Sequence, residues 1–479
     1  MTAGLALSLV ITALMGLLTI GCVWPGPTGL WRSRLLAGVL AVGIGLGLSA
    51  SVFFVWLSWS GAPGPMYPRL ELAVVVLLAG VALYAGVMRR LRTAGPTPRA
   101  PAGATPLHPF LGLTLWLCLG CATIAFLVRA TTSPQGEWDA WMTWNMHARV
   151  LFRGGDHWRE VLTALPGWSH PDYPLLVPGS IARIWTYAGR ETTLAPISVA
   201  MLFTFATVGL LYSAVSVLRS PSQGALAALL LLGSKFFILH GASQYADIPL
   251  GFFVLATLVL LSLPEVWPDD RSRLLLLAGA TAGFAAWTKN EGLMLLLAVV
   301  VGYGLVVGPS RGWRTGLSDA RAFGIGLTPL LVMILYFKLW LAPPNDLMSD
   351  HGLRQTADRL IDGGRYPQVL AGFEHAFLEV GARGLVALLL VGYALCAGPA
   401  PAGPARVGAK IAVIVVSLML AGYAAVLLTA PAPLLGTNLR SVNRLLLQLW
   451  PSMLFAYFLS VRTAEEASVV APPPFPESA

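Results

Sequence analysis

Trp287-Thr288-Lys289-Asn290-Glu291-Gly292 interrupts two apolar runs, 274–288 before it and 290–308 after it. A bilayer core takes about 20 apolar residues per helix, and irregular backbone at that depth survives only where protein or a water-filled cavity covers it. The stretch therefore reads as two membrane helices meeting at a polar turn. Working outward, the alternation recurs. Apolar runs near 2–23, 35–58, 70–88, 109–128, 193–218, 222–241, 246–263, 321–341, 377–397, 408–430 and 444–461 bring the expected spans to about thirteen. Of 479 residues, 56% are hydrophobic and 11% charged, against about 25% charged in an ordinary soluble domain. A water-soluble globule is excluded. The first run has no basic leader and no distinct small-residue cleavage site, so it reads as a span rather than a signal peptide.

The net charge of +9 would suggest nucleic acid as the partner of a soluble protein. No basic run is longer than Arg89-Arg90-Leu91-Arg92, so no nucleic-acid partner is expected. The cations mark sides instead. Arg32, Arg34, Arg219, Arg271, Arg273, Arg311, Arg314, Arg406, Lys410 and Arg462 fall in alternate loops, and Lys/Arg excess marks cytoplasmic loops. This predicts an outer N-terminus, a cytoplasmic C-terminus, and two long outer segments, 129–192 and 342–376. The cysteines Cys22, Cys118, Cys121 and Cys396 all lie in expected spans. Cys118 and Cys121 have half-site spacing without a second pair, so neither a disulfide nor a metal site follows.

The chain divides into accessory spans (1–105), a core (106–341) with its first outer loop (129–192), a second outer loop with C-terminal spans (342–461), and a cytoplasmic tail (462–479) expected to be disordered. Pro/Gly/Ala-rich linkers at 94–106 and 397–406 mark the joints.

Ionisable groups are costly at membrane depth, so their clusters are functional candidates. The first outer loop carries Glu137, Asp139, His147 and Arg149, followed by Ser169-His170-Pro171-Asp172-Tyr173-Pro174. Helical spacing from Trp138 predicts an aromatic stripe of Trp138, Trp141 and Trp144, with Asp139 and His147 on a neighbouring face. An interfacial aromatic belt accounts for the rings equally well, but not for the acids beside them. Asp247 opens another apolar run and is expensive to bury unpaired; capping the following helix is its plain alternative. Lys289 and Glu291 either pair within their turn or line a cavity. In Thr437–Arg444, Asn438 precedes Arg440 and Arg444, which are four residues apart. Two such guanidinium forks suit a phosphate, and snorkelling to headgroups is the alternative. Asp346, Asp350, His351 and Arg354 in the second outer loop are weaker candidates, and Lys235 and Lys338 receive no role.

Trp138–Trp141, His170–Leu176, Tyr245–Leu250, Thr288–Gly292 and Ser441–Pro451, in that order, resemble motifs of the polytopic GT-C glycosyltransferases, the superfamily of protein mannosyltransferases and aminoarabinose transferases. The resemblance spans about 110–455. It implies an all-α polytopic transmembrane bundle in a bacterial inner membrane, with a GT-C-type core and a long outer loop carrying short amphipathic helices. It also implies inverting transfer of a hexose or pentose from a polyprenyl-phosphate-linked donor to a lipid, glycan or protein acceptor on the outer face. By resemblance, Asp139 is the catalytic base and Asp247 supports the site. Glu137 is the fallback base, because Glu137-Trp138-Asp139 stands where an adjacent Asp-Glu pair is usual.

The chemistry suits the residues. A carboxylate can take the proton of an attacking hydroxyl, and the departing phosphate needs positive charge where its own charge grows. Arg440, Arg444 and Lys289 are the candidates for that charge. His147, Arg149, His170, Asp172, Tyr173, Glu291 and Asn438 are candidates for substrate contact. Asp139 and Asp247 could hold Mg²⁺ or Mn²⁺ through oxygen, but a monophosphate leaving group requires no metal, and no cofactor is expected. Two rival readings remain. A lipid or solute transporter would show midplane charges on several spans and internal repeats, and a ligase or polymerase of the O-antigen type would carry a site led by Arg and His.

Overall fold

The computed structural model describes residues 2–24, 31–92, 106–344, 352–431, 435, 436, 439 and 441–470. These are almost wholly helical, and the only β pairing among them is an isolated bridge between Pro399 and Val461. The chain order is α1 (Thr2–Val23), α2 (Trp31–Ser60), α3 (Tyr67–Arg92), α4 (Pro109–Thr132), α5 (Asn145–Arg153), α6 (Trp158–Thr163), α7 (Leu176–Ala188), α8 (Leu194–Leu218), α9 (Pro221–Leu232) and α10 (Lys235–Ala242). It continues through α11 (Asp247–Ser262), α12 (Arg271–Thr288), α13 (Glu291–Arg311), α14 (Trp313–Tyr336), α15 (Leu353–Ile361), α16 (Arg365–Val380), α17 (Leu385–Ala397), α18 (Pro404–Thr429), α19 (Val442–Ser460) and α20 (Ala464–Val470).

Every residue of α11 is buried. A helix that is apolar on all sides belongs inside other protein, and α8, α12, α18 and α19 pack around this one. Small residues set the closest crossings, as they do where lipid supplies no hydrophobic drive between helices. A Cβ on Gly279 of α12 would stand 1.9 Å from the Phe323 carbonyl oxygen of α14, and one on Gly326 of α14 equally close to that of Leu276. At the rim, α4 and α3 leave most of their apolar surface uncovered.

Nine described helices are long and apolar enough to cross a membrane, or eleven if each of two bent pairs counts as a span. Eleven lies two below the expected figure of about thirteen, so the exact count is not confirmed among the described residues. The run 222–241 is the pair α9–α10, bent by 65°, and 377–397 falls in the pair α16–α17, bent by 83°. The runs 274–288 and 444–461 do form helices, α12 and α19, but Arg271 and Arg273 in one and Asn443, Arg444 and Gln448 in the other dilute their apolarity.

Consecutive long helices alternate in direction, so that α11, α13 and α19 begin, and α10 and α12 end, at one end of the bundle. The opposite end carries arginines in ion pairs of its own. Arg271 binds Asp319 and Tyr303 across α12, α14 and α13; Arg311 pairs with Glu265; and Arg219 pairs with Glu466 beyond α19. The accessory helices are held by a buried pair. Arg183 of α7 donates to Glu71 of α3 at 2.7 Å, and to Thr12 and the Ser8 carbonyl of α1.

Candidate functional site

Asp247, in the first turn of α11, organises the polar end of the bundle. Its side chain is 1% exposed, and four donors surround the carboxylate. Lys289 Nζ (2.9 Å) and Gln448 Nε2 (2.7 Å) donate to Oδ1; Arg444 Nε (2.9 Å) donates to Oδ2, and His240 Nε2 lies 3.1 Å from the same oxygen. A carboxylate has about four lone-pair directions, and here all four are engaged. The cap position of α11 is Ala246, and Asp247 lies one residue inside the helix, so the capping alternative is set aside. These donors come from α10, the residue that follows α12, and α19, whose polar ends share one level at the start of α11.

Lys289 also reaches Glu291 at 2.8 Å and lies over the Tyr173 ring at 5.7 Å. The turn of the opening motif thus pairs internally and also faces a buried site. Burial opposes the charge on Lys289, but Asp247 and Glu291 outweigh it and hold the ammonium well above its ordinary value. Glu291 is engaged through Oε1, while its buried Oε2 has no hydrogen-bond partner.

Arg444 bridges the buried acid to an accessible one. Its Nη1 is 2.6 Å from Asp139 Oδ2, and its guanidinium lies over the Tyr245 ring at 4.6 Å. The Asp139 side chain is 29% exposed, and Arg444 is its one ion-pair partner among the described residues. The Asp139 amide donates to the Tyr245 hydroxyl at 3.3 Å. Burial pushes that phenol up to about 12, so it stays neutral. Glu137 is engaged elsewhere, in an ion pair with Arg129 at the end of α4.

A second polar group adjoins the first through the turn. Asn290 donates to Asp172 Oδ2 (2.8 Å), and Lys338 donates to Asn290 Oδ1 (2.6 Å) and to the Asp172 carbonyl (2.5 Å). Lys338, which the sequence left without a role, belongs here. His170 takes a left-handed backbone (φ 52°) that stacks its ring on Tyr173, and Tyr173 stacks in turn on Trp144.

Other expectations fail for identifiable reasons. A π-helical turn at Ala140–Trp144 breaks the helical register, so Trp138 and Trp141 pair at the surface while Trp144 is buried. No single aromatic stripe forms. His147 is fully buried near Ser169, His170 and Asp172, and burial lowers its imidazole to about 4. It does not touch the Asp247 cluster. Arg149 turns away to Glu191 and Gln135. Arg440, Asn438, Asp346, Asp350 and His351 lie outside the described residues, and Arg354 is exposed. Sequence reasoning missed His240 and Gln448. Gln448 follows Arg444 by four residues and so shares its helix face, whereas a lone histidine in an apolar run gave no signal. Among the described residues, no three His, Cys, Asp or Glu gather closely enough to hold a metal ion. The space between Asp139 and Asp247 is taken by Arg444.

No curated protein and no solved structure matches the chain. Residues 170–340, which carry Asp172, Asp247 and Lys289 but not Asp139 or Arg444, match the model of the dolichyl-phosphate-mannose-protein mannosyltransferase family, a GT-C family, and this similarity, with the apolar helices, points to a multi-pass membrane glycosyltransferase of the GT-C type.

Proposed function

We propose that the protein transfers a hexose or pentose from a polyprenyl-phosphate-linked donor to a lipid, glycan or protein acceptor, with inversion, on the outer face of a bacterial inner membrane. The observation that carries this reading is the contrast within the acid pair. Asp247 is buried and fully engaged, while Asp139 is accessible and joined to it through one arginine. Asp139 is then the group able to take a proton, and Asp247 is a positioning residue that holds Lys289 and Arg444 in place.

The acceptor hydroxyl attacks the anomeric carbon and gives its proton to Asp139; the bond from that carbon to the phosphate oxygen breaks, and polyprenyl phosphate leaves with the electron pair. Arg444 and Lys289 keep N–H donors beyond those spent on acids, and they face the growing phosphate charge. The reading needs no metal. Sidedness is supported by the arginines at the opposite end of the bundle, since Lys/Arg excess marks cytoplasmic loops. The test is a panel of radiolabelled polyprenyl-phosphate sugars offered to the purified protein with extracted acceptor lipids and glycans, with and without a chelator. A covalent product unaffected by chelation is expected. Solute transport by proteoliposomes without any covalent product would overturn the enzyme reading.

A further inference from the structure

A cavity of about 990 Å³ lies away from the Asp247 cluster, between α1 and α2 on one side and α4, α8 and α9 on the other. Its volume is at the upper end of ordinary ligand pockets, about 300–1,000 Å³. Along α8 it runs from Ser198 to Tyr212, about 21 Å at about 1.5 Å per residue. Its walls are almost entirely apolar. Arg34 is the one charged side chain among the described lining residues, in the first turn of α2 at the end of the bundle opposite Asp247. Arg32 stands beside it, its guanidinium over the Trp31 ring at 5.8 Å, and Trp31 lies 6.4 Å from Tyr212. One end thus offers cations with amphipathic rings, the pairing found at headgroup level, and the rest offers hydrocarbon.

We propose that this cavity seats an anionic glycerophospholipid, its phosphate at Arg34 and an acyl chain along α8, filling the gap between the accessory helices and the core. Charge placement selects this occupant over the sugar donor. A donor phosphate at Arg34 would hold its sugar at the end of the bundle away from Asp139, whereas a resident lipid has no reacting group to position. The seat does not depend on the proposed reaction.

The test is native mass spectrometry of the full chain in detergent, titrated with phosphatidylglycerol or phosphatidylcholine. One phosphatidylglycerol is expected to be retained, with a preference over phosphatidylcholine of at least about fivefold, the effect of roughly one arginine near an anionic headgroup. Arg34→Gln should erase the preference in protein shown by its melting curve to be folded. Gly38 lines the cavity, and a Cβ there meets no atom within 4 Å, so Gly38→Leu should exclude both lipids from a folded protein. Equal retention of the two lipids by the parent protein would overturn the proposal. So would unchanged preference in Arg34→Gln, or displacement of phosphatidylglycerol by equimolar polyprenyl phosphate.

Discussion

Two buried carboxylates, Glu71 and Asp247, stand among cations inside the same bundle and have different surroundings. Glu71 meets Arg183 at 2.7 Å and the Tyr187 hydroxyl at 2.6 Å, and Arg183 gives two further donors to Thr12 and the Ser8 carbonyl. Both partners are sealed, at 1% exposure or less. Asp247 is equally buried, but its partners lead outward: Arg444 is 21% exposed and carries on to Asp139 at 29%, and Lys289 carries on to Glu291. A closed network fixes helices to one another, whereas an open one presents charge at a surface. The accessory helices are thereby docked by Glu71, while the proposed chemistry is laid out by Asp247.

The largest effect is expected from Asp247→Asn. Removing one member of a buried ionic group costs about 3–5 kcal/mol, and here the released Lys289 and Arg444 are also the proposed phosphate contacts. Melting point and transfer rate should fall together; a stable, active variant would break the contrast from the Asp247 side. Next, Arg444→Gln should lower kcat by about 10²–10³, with a smaller loss of stability, read by initial rates on protein selected for its folded fraction. Glu71→Gln should do the reverse. It should cost about 3–5 kcal/mol in thermal or denaturant unfolding, with kcat of the folded molecules within about twofold of the parent, a change of less than about 0.5 kcal/mol in barrier.

The smallest expected effect belongs to His147. Its folded value is lowered to about 4 from 6.5 by burial, so the unfolded chain takes up a proton first as pH falls. The stability it confers is complete above about pH 6.5 and is lost progressively toward pH 4, by about 3 kcal/mol. Unfolding of the parent should therefore weaken between pH 7.5 and pH 4.5 by more than that of His147→Gln. Parallel pH curves would show that the buried ring does not titrate.

Much of this architecture was legible because lipid leaves few choices, and apolar runs become helices. The bends at Gly233–Ser234 and at Gly381–Gly384 were not legible, since hydropathy averages over a break that backbone torsion decides. Within the site, Asp139 was a candidate in the first outer loop, and Asp247, Lys289, Glu291 and Arg444 were candidates as charges at the edges of apolar runs; the fold brings them into one connected network. The resemblance ranked Asp139 above Asp247 as the base, but the residues alone gave no physical reason for that order. Burial separates the engaged acid from the accessible one, and burial is set by packing of distant segments. The π turn after Asp139 misled helical spacing in the same way, by inserting an irregularity that residue types do not announce.

The central claim is that Asp139 takes the proton while Asp247 only positions. It is tested most directly by comparing transfer from a polyprenyl-phosphate sugar by Asp139→Asn and Glu137→Gln, each normalised to folded protein by its melting curve. A loss of about 10²–10⁴ in kcat for Asp139→Asn at an unchanged melting point, with Glu137→Gln near the parent rate, is the predicted result. Undiminished transfer by Asp139→Asn, or a loss confined to Glu137→Gln, would contradict it.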